Sequence, residues 1–324
     1  MRAIVVDRLM EPRDLRVAEI PAPAVRPGTL ELEVRAAGCN FFDILMVQGK
    51  YQVKPPFPFV PGAEVAGVVR SVGEGVKDFA KGDRVLASAG LGGFAEIAVV
   101  PAAGAYPMPE GMSFAEGAAL PIIYPTSYAG LVFRAHLQAG ETLLVHAAAG
   151  GVGIAAVQIG KALGARVIAV AGSSEKLEVA RQAGADVAID YSAADWPDQV
   201  RAATGGRGVD VVVENVGGDI FDGCVKTLAW GGRLLVVGFA GGRIPEIKLN
   251  RVLLKHISLI GVHWGPMLMH EPDKLRKGHD DLLRWYEAGK IKPMVWRTFP
   301  LEEVPAALAA LGGRRSWGKI VLVP

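Results

Sequence analysis

The sequence predicts an α/β protein in which a doubly wound parallel sheet accompanies a second, mainly antiparallel β domain. Three observations lead to this fold class. A chain of 324 residues exceeds the size at which one hydrophobic core usually stops growing. Short apolar segments alternate with helical patterns about six times between residues 142 and 262. Before residue 100, by contrast, short β-rich segments are separated by turns that contain Gly and Pro.

Composition and charge exclude several classes of protein. Hydrophobic residues make up 51% of the chain and charged residues 21%, which suits a large core and not a disordered chain. The net charge of +2 and the lack of a basic run argue against a nucleic-acid binder. No apolar stretch has membrane-spanning length, and the amino terminus lacks the apolar region of a signal peptide. With only Cys39 and Cys224, a disulfide framework is not expected, so we predict a cytoplasmic protein.

The β-rich amino-terminal part predicts a compact, partly open antiparallel barrel. Its predicted strands are residues 3–6, 29–36, 64–72, 84–88 and 95–100. A short helix over 114–120 begins after Ser113, with Glu116 as its capping-box partner. A second helix is predicted over 126–135, and the first domain boundary is expected there.

The remaining segments predict the alternating domain and a return to the first one. After the strands at 143–146 and 166–170, the predicted elements are helix 175–182, strand 187–190, helix 196–204, strand 210–213, helix 220–228, strand 233–237, strand 257–262, helix 280–288, strand 294–299, helix 301–311 and strand 319–323. This alternation is typical of a doubly wound parallel sheet.

Residues 142–176 contain the motif around which the chain is organised. A buried strand leads into a turn with Gly150, Gly151 and Gly153, then into a helix that ends at Gly164, and then into a second strand. In such a unit the turn lets backbone N–H groups approach a pyrophosphate, and the helix N-terminus contributes about half a positive charge. Because the glycines lie in this structural context, they predict a dinucleotide site.

The residues after the second strand of this unit favour NADP over NAD. An NAD site usually carries an acidic residue about 20 positions after the glycines. Here Ser173 and Ser174 follow Gly172, and Glu175 and Lys176 come next. Hydroxyls and an ammonium suit a 2′-phosphate better than a bare hydroxyl. A purely structural interpretation also stands, in which a serine caps the next helix and Lys176 is a solvated charge. The two interpretations are compatible.

Seven short segments occur in the order found in one known family. They are Ala-Gly-Cys-Asn-Phe-Phe-Asp at 37–43, Pro-Gly-Ala-Glu at 61–64, Val-Gly-Glu-Gly-Val at 72–76, Gly-Asp-Arg-Val at 82–85, Ala-Ala-Ala-Gly-Gly-Val-Gly at 147–153, Val-Val-Gly-Phe at 236–239 and Gly-Lys-Ile-Val-Leu at 318–322. Over essentially its full length the chain resembles the medium-chain dehydrogenase/reductase superfamily, and within it the zinc-free NADPH:quinone oxidoreductase (zeta-crystallin-like) branch.

This resemblance implies an architecture and an assembly. A GroES-like catalytic domain would be built from both chain ends, residues 1–123 and 266–324. A Rossmann NADP-binding domain would lie between them at 124–265, with the nicotinamide at the base of a cleft. The resemblance further implies homodimers formed largely through the cofactor domains, and a small-molecule substrate.

Two departures from the zinc alcohol dehydrogenases indicate the chemistry. Those enzymes use a Cys-x-x-Asp and a Gly-His-Glu signature, whose Cys and His bind the catalytic metal. Here Asn40 and Ala63 occupy those positions, and Cys39 lies one position early. A catalytic zinc needs three correctly placed ligands, so we expect no metal and no Lewis acid. The expected reaction is hydride transfer from NADPH C4 to an activated acceptor, such as a quinone, an enone or an enal.

The resemblance also assigns residues to the site. Asn40 and Tyr51 would line the substrate cleft, where an amide or phenol hydrogen-bonds a carbonyl oxygen gaining charge, and Asp43 would support them. A structural role is the alternative for both residues, in a turn for Asn40 and in an ordinary loop for Tyr51. The expected cofactor contacts are Thr126, Gly150, Gly151, Val152, Ser173, Lys176, Tyr191, Phe239, Val262 and Arg314. His263 and Trp264 are interpreted as a packed loop, and Cys224 as a core thiol.

Two other functions stay open on the sequence alone. The chain could be an enoyl-type reductase of a dedicated metabolite or CoA thioester, although no basic strip for a CoA 3′-phosphate is evident. It could also bind NADPH without catalysis, for structure, redox sensing or RNA binding. Asn40, Asp43 and Tyr51 favour an enzyme.

Overall fold

The computed structural model describes all 324 residues, which divide into two compact units. Unit 1 comprises Met1–Ile122 and Pro293–Pro324, and unit 2 comprises Ile123–Lys292. The first division lies one residue before the predicted one, whereas the second follows Lys292 instead of residue 265. No helix combines the length and the apolar character that crossing a bilayer requires.

The secondary structure consists of fifteen strands and eleven α-helices. The strands are β1 (Arg2–Ile4), β2 (Val17–Glu19), β3 (Thr29–Gly38), β4 (Glu64–Val72), β5 (Arg84–Ser88), β6 (Ile97–Pro101), β7 (Ala105–Pro107), β8 (Thr142–His146), β9 (Arg166–Ala171), β10 (Val187–Asp190), β11 (Val209–Glu214), β12 (Leu228–Val236), β13 (Ser258–Gly261), β14 (Val295–Pro300) and β15 (Lys319–Val323). The helices are α1 (Phe41–Val47), α2 (Phe114–Ala118), α3 (Ile123–Tyr128), α4 (Gly151–Ala162), α5 (Ser174–Gln182), α6 (Trp196–Ala203), α7 (Gly218–Thr227), α8 (Leu249–Lys255), α9 (Met267–His270), α10 (Pro272–Glu287) and α11 (Val304–Gly312).

Unit 1 is built on a seven-stranded sheet in the order β14-β15-β3-β4-β5-β7, with β6 also paired to β3. Every pairing in this sheet is antiparallel except that of β14 with β15. Along β3, Leu30, Leu32 and Val34 alternate into the core, as the two-residue period of a strand requires. The same core contains Val304 and Leu308 of α11, so both ends of the chain contribute to it.

Unit 2 contains a six-stranded sheet in the order β10-β9-β8-β11-β12-β13. All five pairings are parallel, and β8 is buried along its whole length. Strands covered by helices on both faces are continuously apolar, which explains the short apolar segments in the sequence of this unit. After β10 the strand order reverses, and β11 lies on the other side of β8. This confirms the predicted doubly wound sheet and makes the junction of β8 with β11 its switch point.

The second domain division differs from the predicted one because α10 packs within unit 2. Gly278 lies against Tyr128, where a Cβ atom would be 3.2 Å from the ring. The Tyr128 hydroxyl donates a hydrogen bond to Asp281, and Leu275 and Leu282 are buried. Helix α10 also begins at Pro272, eight residues before the predicted helix, because tertiary contacts order its polar first turns.

The helix predicted over 126–135 is two different elements in the structure. Helix α3 ends at Tyr128, and a π-helix continues over Ala129–Arg134. The Ala135 N–H donates to the carbonyl oxygen of Gly130, five residues earlier. Gly130 lies beside Leu235 and Val262, where a Cβ atom would be 3.2 Å and 3.4 Å from their side chains.

Candidate active site

Three strand ends of unit 1 meet at one buried polar cluster. Strand β3 ends just before Asn40, β4 begins with Glu64, and β15 begins with Lys319. Pairing of Ala37 with Val65 and of Gly38 with Val321 holds these three ends side by side. The Cys39 N–H extends the last pairing by donating to the Ile320 carbonyl at 2.9 Å. Residues far apart in the sequence are therefore neighbours.

The side chains of this cluster satisfy one another. Lys319 Nζ donates to Asn40 Oδ1 at 2.6 Å and to Glu64 Oε1 at 2.5 Å. Asn40 Nδ2 donates to Glu64 Oε1 at 2.8 Å, and the Ile122 N–H donates to Glu64 Oε2 at 2.9 Å. None of Asn40, Glu64 and Lys319 is more than 7% exposed. The ion pair is therefore buried, hydrogen-bonded and balanced in charge, as buried charges must be.

Asp43 lies next to this cluster on the first turn of α1. Its Oδ2 accepts a hydrogen bond from the Asn40 backbone N–H at 2.7 Å, and the residue is 1% exposed. Burial raises the pKa of Asp43 to about 7, against the lowering effects of that N–H and of Lys319, and the charge of Glu64 raises it further. Near neutral pH this carboxyl group is therefore close to the midpoint of its titration.

Tyr51, the third predicted catalytic residue, lies on the same side of unit 1. Its ring stacks on Phe42 of α1, with the centroids 5.4 Å apart. Burial raises the pKa of its phenol, and the charge of Asp43 adds to this increase. The structure thus brings Asn40, Asp43 and Tyr51 to one end of α1.

In unit 2 the glycine turn has the geometry that the sequence predicts. Gly150 precedes α4 in an extended conformation, and the helix begins at Gly151, followed by Val152. A Cβ atom on Gly153 would lie 2.3 Å from the Ala147 carbonyl oxygen, so only glycine lets α4 pack this closely on the turn. The hydroxyl of Ser127, next to predicted contact Thr126, donates to the Val152 carbonyl at 3.0 Å. Helix α3 is therefore attached to the start of α4.

The residues predicted to hold the 2′-phosphate surround the start of α5. Ser173 caps this helix by accepting a hydrogen bond from the Lys176 backbone N–H at 3.3 Å. The structural interpretation of Ser173 is therefore confirmed, while its cofactor role stays a prediction. Tyr191 packs on Gly172, where a Cβ atom would be 2.6 Å from the phenol oxygen. One small region thus contains Gly172, Ser173, Lys176 and Tyr191.

Buried polar atoms without hydrogen bonds gather at the carboxyl ends of β8 and β11. They are both ring nitrogens of His146, Glu214 Oε2 and Asn215 Oδ1. Burial lowers the pKa of His146 to about 3, so the imidazole is neutral, and its ring contacts Tyr191 and Trp196. Burial also raises the pKa of Glu214. Buried polar groups need partners, and the switch point is where doubly wound sheets bind ligands, so these atoms fit a bound dinucleotide.

The other predicted cofactor residues lie in both units. Phe239 follows β12 and approaches Gly217, and buried Val262 follows β13. Arg314 follows α11 in unit 1 with a φ of 55°. Trp264 is buried and contacts the His279 ring, as expected of a packed loop, whereas His263 is exposed. Cys224 is fully buried, as predicted for a core thiol.

Sequence reasoning missed Glu64, Lys319, His146 and Glu214 as site residues. A detectable signal existed for each of them, because a charged or imidazole side chain begins or ends a mainly apolar strand. No group of three or more His, Cys, Asp or Glu side chains is arranged to hold a metal ion.

Comparisons with known proteins agree with this geometry. The family model "Alcohol dehydrogenase GroES-like domain" matches residues 26–110, and "Zinc-binding dehydrogenase" matches 151–278. The chain is 43% identical to "Quinone oxidoreductase-like protein 2 homolog" of Nematostella vectensis, over 90% of this chain and 81% of that relative. This chain belongs to the quinone oxidoreductase-like family of the medium-chain dehydrogenase/reductase superfamily. The resemblance and the two-part fold class predicted from the sequence are confirmed.

Two further members of this family match the whole chain. Human "Quinone oxidoreductase" is 33% identical, over 100% of this chain and 98% of that relative. The crystal structure of Escherichia coli quinone oxidoreductase complexed with NADPH is 28% identical, covers 100% of both chains and has a TM-score of 0.92. The resemblance therefore extends over both units.

The raised pKa of Asp43 predicts how its replacement changes stability with pH. The folded state holds this proton up to about pH 7, whereas the ordinary pKa of an aspartate side chain is 3.8. Its contribution to stability is therefore fully present below pH 3.8 and is lost as the pH rises through 7. Between pH 5 and pH 8 the unfolding free energy of the wild type should therefore fall by roughly 2 to 3 kcal/mol relative to that of Asp43→Asn, which has no group to titrate at this position.

Urea unfolding at the two pH values measures this difference. The exposed Asp78→Asn is the matched control for loss of a carboxylate in unit 1. A wild-type-to-variant difference that is the same at pH 5 and pH 8 would contradict the assigned protonation of Asp43.

Proposed function

We propose that this protein is an NADPH-dependent oxidoreductase that reduces quinones or other α,β-unsaturated carbonyl compounds without a metal. Bound NADPH supplies the hydride from nicotinamide C4. We further propose that it acts in the cytoplasm, in keeping with its two buried free thiols. Membership of the quinone oxidoreductase-like family supports the class of reaction.

The observation that carries the metal-free chemistry is the position of Lys319. Its ammonium group donates hydrogen bonds to Asn40 Oδ1 and Glu64 Oε1. These two residues lie at the positions of the metal-binding signatures of zinc alcohol dehydrogenases. A metal cation would need these same oxygens and would be repelled by the ammonium. Without a Lewis acid, only an acceptor that is already electron-poor is reduced readily.

The residues of unit 2 support NADPH as the cofactor. The turn at Gly150 and Gly151 and the N-terminus of the twelve-residue α4 suit a pyrophosphate. Lys176 and Tyr191 would hold the 2′-phosphate, and the unpartnered atoms of His146, Glu214 and Asn215 suit a polar ligand at the switch point. In unit 1, Asn40 and Tyr51 would orient the carbonyl group of the acceptor.

Turnover on a panel of acceptors tests the function. Purified protein should oxidise NADPH with small ortho- and para-quinones or with simple enones and enals, and a chelator should not change the rate. Turnover confined to enoyl-CoA esters would favour the enoyl-type reductase instead. Tight NADPH binding with no turnover on any acceptor would contradict the enzyme and favour a binding protein.

Replacement of Lys176 tests the cofactor preference. Lys176→Ala should raise the NADPH dissociation constant at least tenfold and leave that for NADH nearly unchanged, because only NADPH carries the 2′-phosphate. Lys161→Ala, which removes an ammonium paired with Asp186 elsewhere in unit 2, is the matched control. Equal effects on both nucleotides would refute the role of Lys176.

The edge of the unit 2 sheet supports the proposed homodimer. Strand β13 is an edge strand, and the exposed apolar residues Trp230, Leu253, Leu254 and Leu259 belong to it or to neighbouring β12 and α8. Open edges and apolar patches of this kind favour association. Light scattering should give twice the chain mass, and Leu254→Lys should give the monomer mass. Leu9→Lys, an exposed apolar site in unit 1, is the control, and a monomeric wild type would refute the dimer.

A further inference from the structure

The Asn40 amide lies between a pure donor and a pure acceptor. An ammonium has no acceptor atoms and a carboxylate has no donor atoms, so only one orientation of the amide satisfies both Lys319 and Glu64. In that orientation Oδ1 accepts from Lys319 and Nδ2 donates to Glu64. The second N–H of the amide is left with the Gly38 carbonyl oxygen at 3.5 Å, which is the outer limit of a hydrogen bond.

The surroundings of Glu64 hold this arrangement in place. A Cβ atom on Gly38 would lie 2.7 Å from Glu64 Oε1 and 2.5 Å from the Ala118 carbonyl oxygen. The Glu64 carboxylate therefore occupies the space that a side chain at position 38 would need. The Ile122 N–H holds the other carboxylate oxygen. Replacing a buried ion pair by neutral groups often costs little stability, so stability alone does not account for this one. A role in orienting the Asn40 amide would account for the buried ion pair.

We propose that Lys319 and Glu64 are positioning residues that fix the Asn40 amide with its remaining N–H available to the carbonyl oxygen of the acceptor. This inference rests on the function proposed above. The Lys319 ammonium also polarises the amide carbonyl, which makes the N–H a stronger donor. If the amide turned over, Oδ1 would face an oxygen that gains negative charge during hydride transfer, and the interaction would become repulsive.

A charge-balanced double variant tests the role without leaving a charge buried alone. Glu64→Gln/Lys319→Met removes both charges and keeps the approximate size of both side chains. At saturating NADPH and acceptor, kcat should fall at least tenfold, because the amide is no longer held in one orientation. The NADPH dissociation constant should not change. Lys161→Met/Asp186→Asn, which removes an ion pair from unit 2, is the matched control and should keep the wild-type kcat.

A cycle with Asn40→Ala separates positioning from stabilisation. If Lys319 and Glu64 act through Asn40, their double replacement has no further effect on kcat in the Asn40→Ala background. An additional fall of the same size in that background would overturn the proposal. So would a wild-type kcat for Glu64→Gln/Lys319→Met.

The orientation can also be measured without turnover. In ¹⁵N-labelled protein, the side-chain N–H pair of Asn40 is assigned by its loss in Asn40→Ala. The N–H of this pair that donates to Glu64 should be protected from solvent exchange in the wild type and should lose protection in Glu64→Gln/Lys319→Met. If the wild type reduced no acceptor, the proposed function would fail while this measurement still decided the orientation. Unchanged protection in the double variant would overturn the inference.

Discussion

The buried contact between Lys319 and Glu64 is the interaction on which the site in unit 1 depends. It joins the last strand of the chain to β4 and fixes Asn40 between them. Charges are costly to bury unless every partner is present, so the three strand ends must meet with little freedom. The pairing of β3 with both β4 and β15 provides this alignment. Backbone pairing and side-chain chemistry therefore specify the same geometry.

Unit 2 also buries polar groups at the ends of its strands, but fewer of them are charged. Its sheet is apolar and parallel, and its polar groups gather where β8 and β11 end. There the fold leaves donors and acceptors without partners, whereas in unit 1 Lys319, Glu64 and Asn40 are paired with one another. The difference matches the two tasks proposed above. A site that a dinucleotide completes needs open polar groups, and a site that orients an uncharged acceptor needs fixed ones.

Local signals in the sequence predicted the elements that depend on local chemistry. The Ser113 and Glu116 capping box is present, and the strands at 64–72, 84–88, 187–190 and 319–323 have the predicted bounds. Elements ordered by distant contacts were less predictable from the sequence. Helix α10 is an example, because it packs against Tyr128. Asn40 was found through its motif, but its partner Lys319 is 279 residues away, and only the sheet topology shows that they touch. The cofactor contacts stay predictions.

Because unit 1 is assembled from both chain ends, its completion is delayed during synthesis. Residues 123–292 leave the ribosome before 293–324, so unit 2 has all its strands while β14 and β15 are still missing from unit 1. Until then Glu64 has no ammonium group to neutralise it, and β3 exposes the edge to which β15 will pair. The nucleotide-binding unit can therefore fold first as an independent body. The sheet of unit 1 is completed only when β15 arrives.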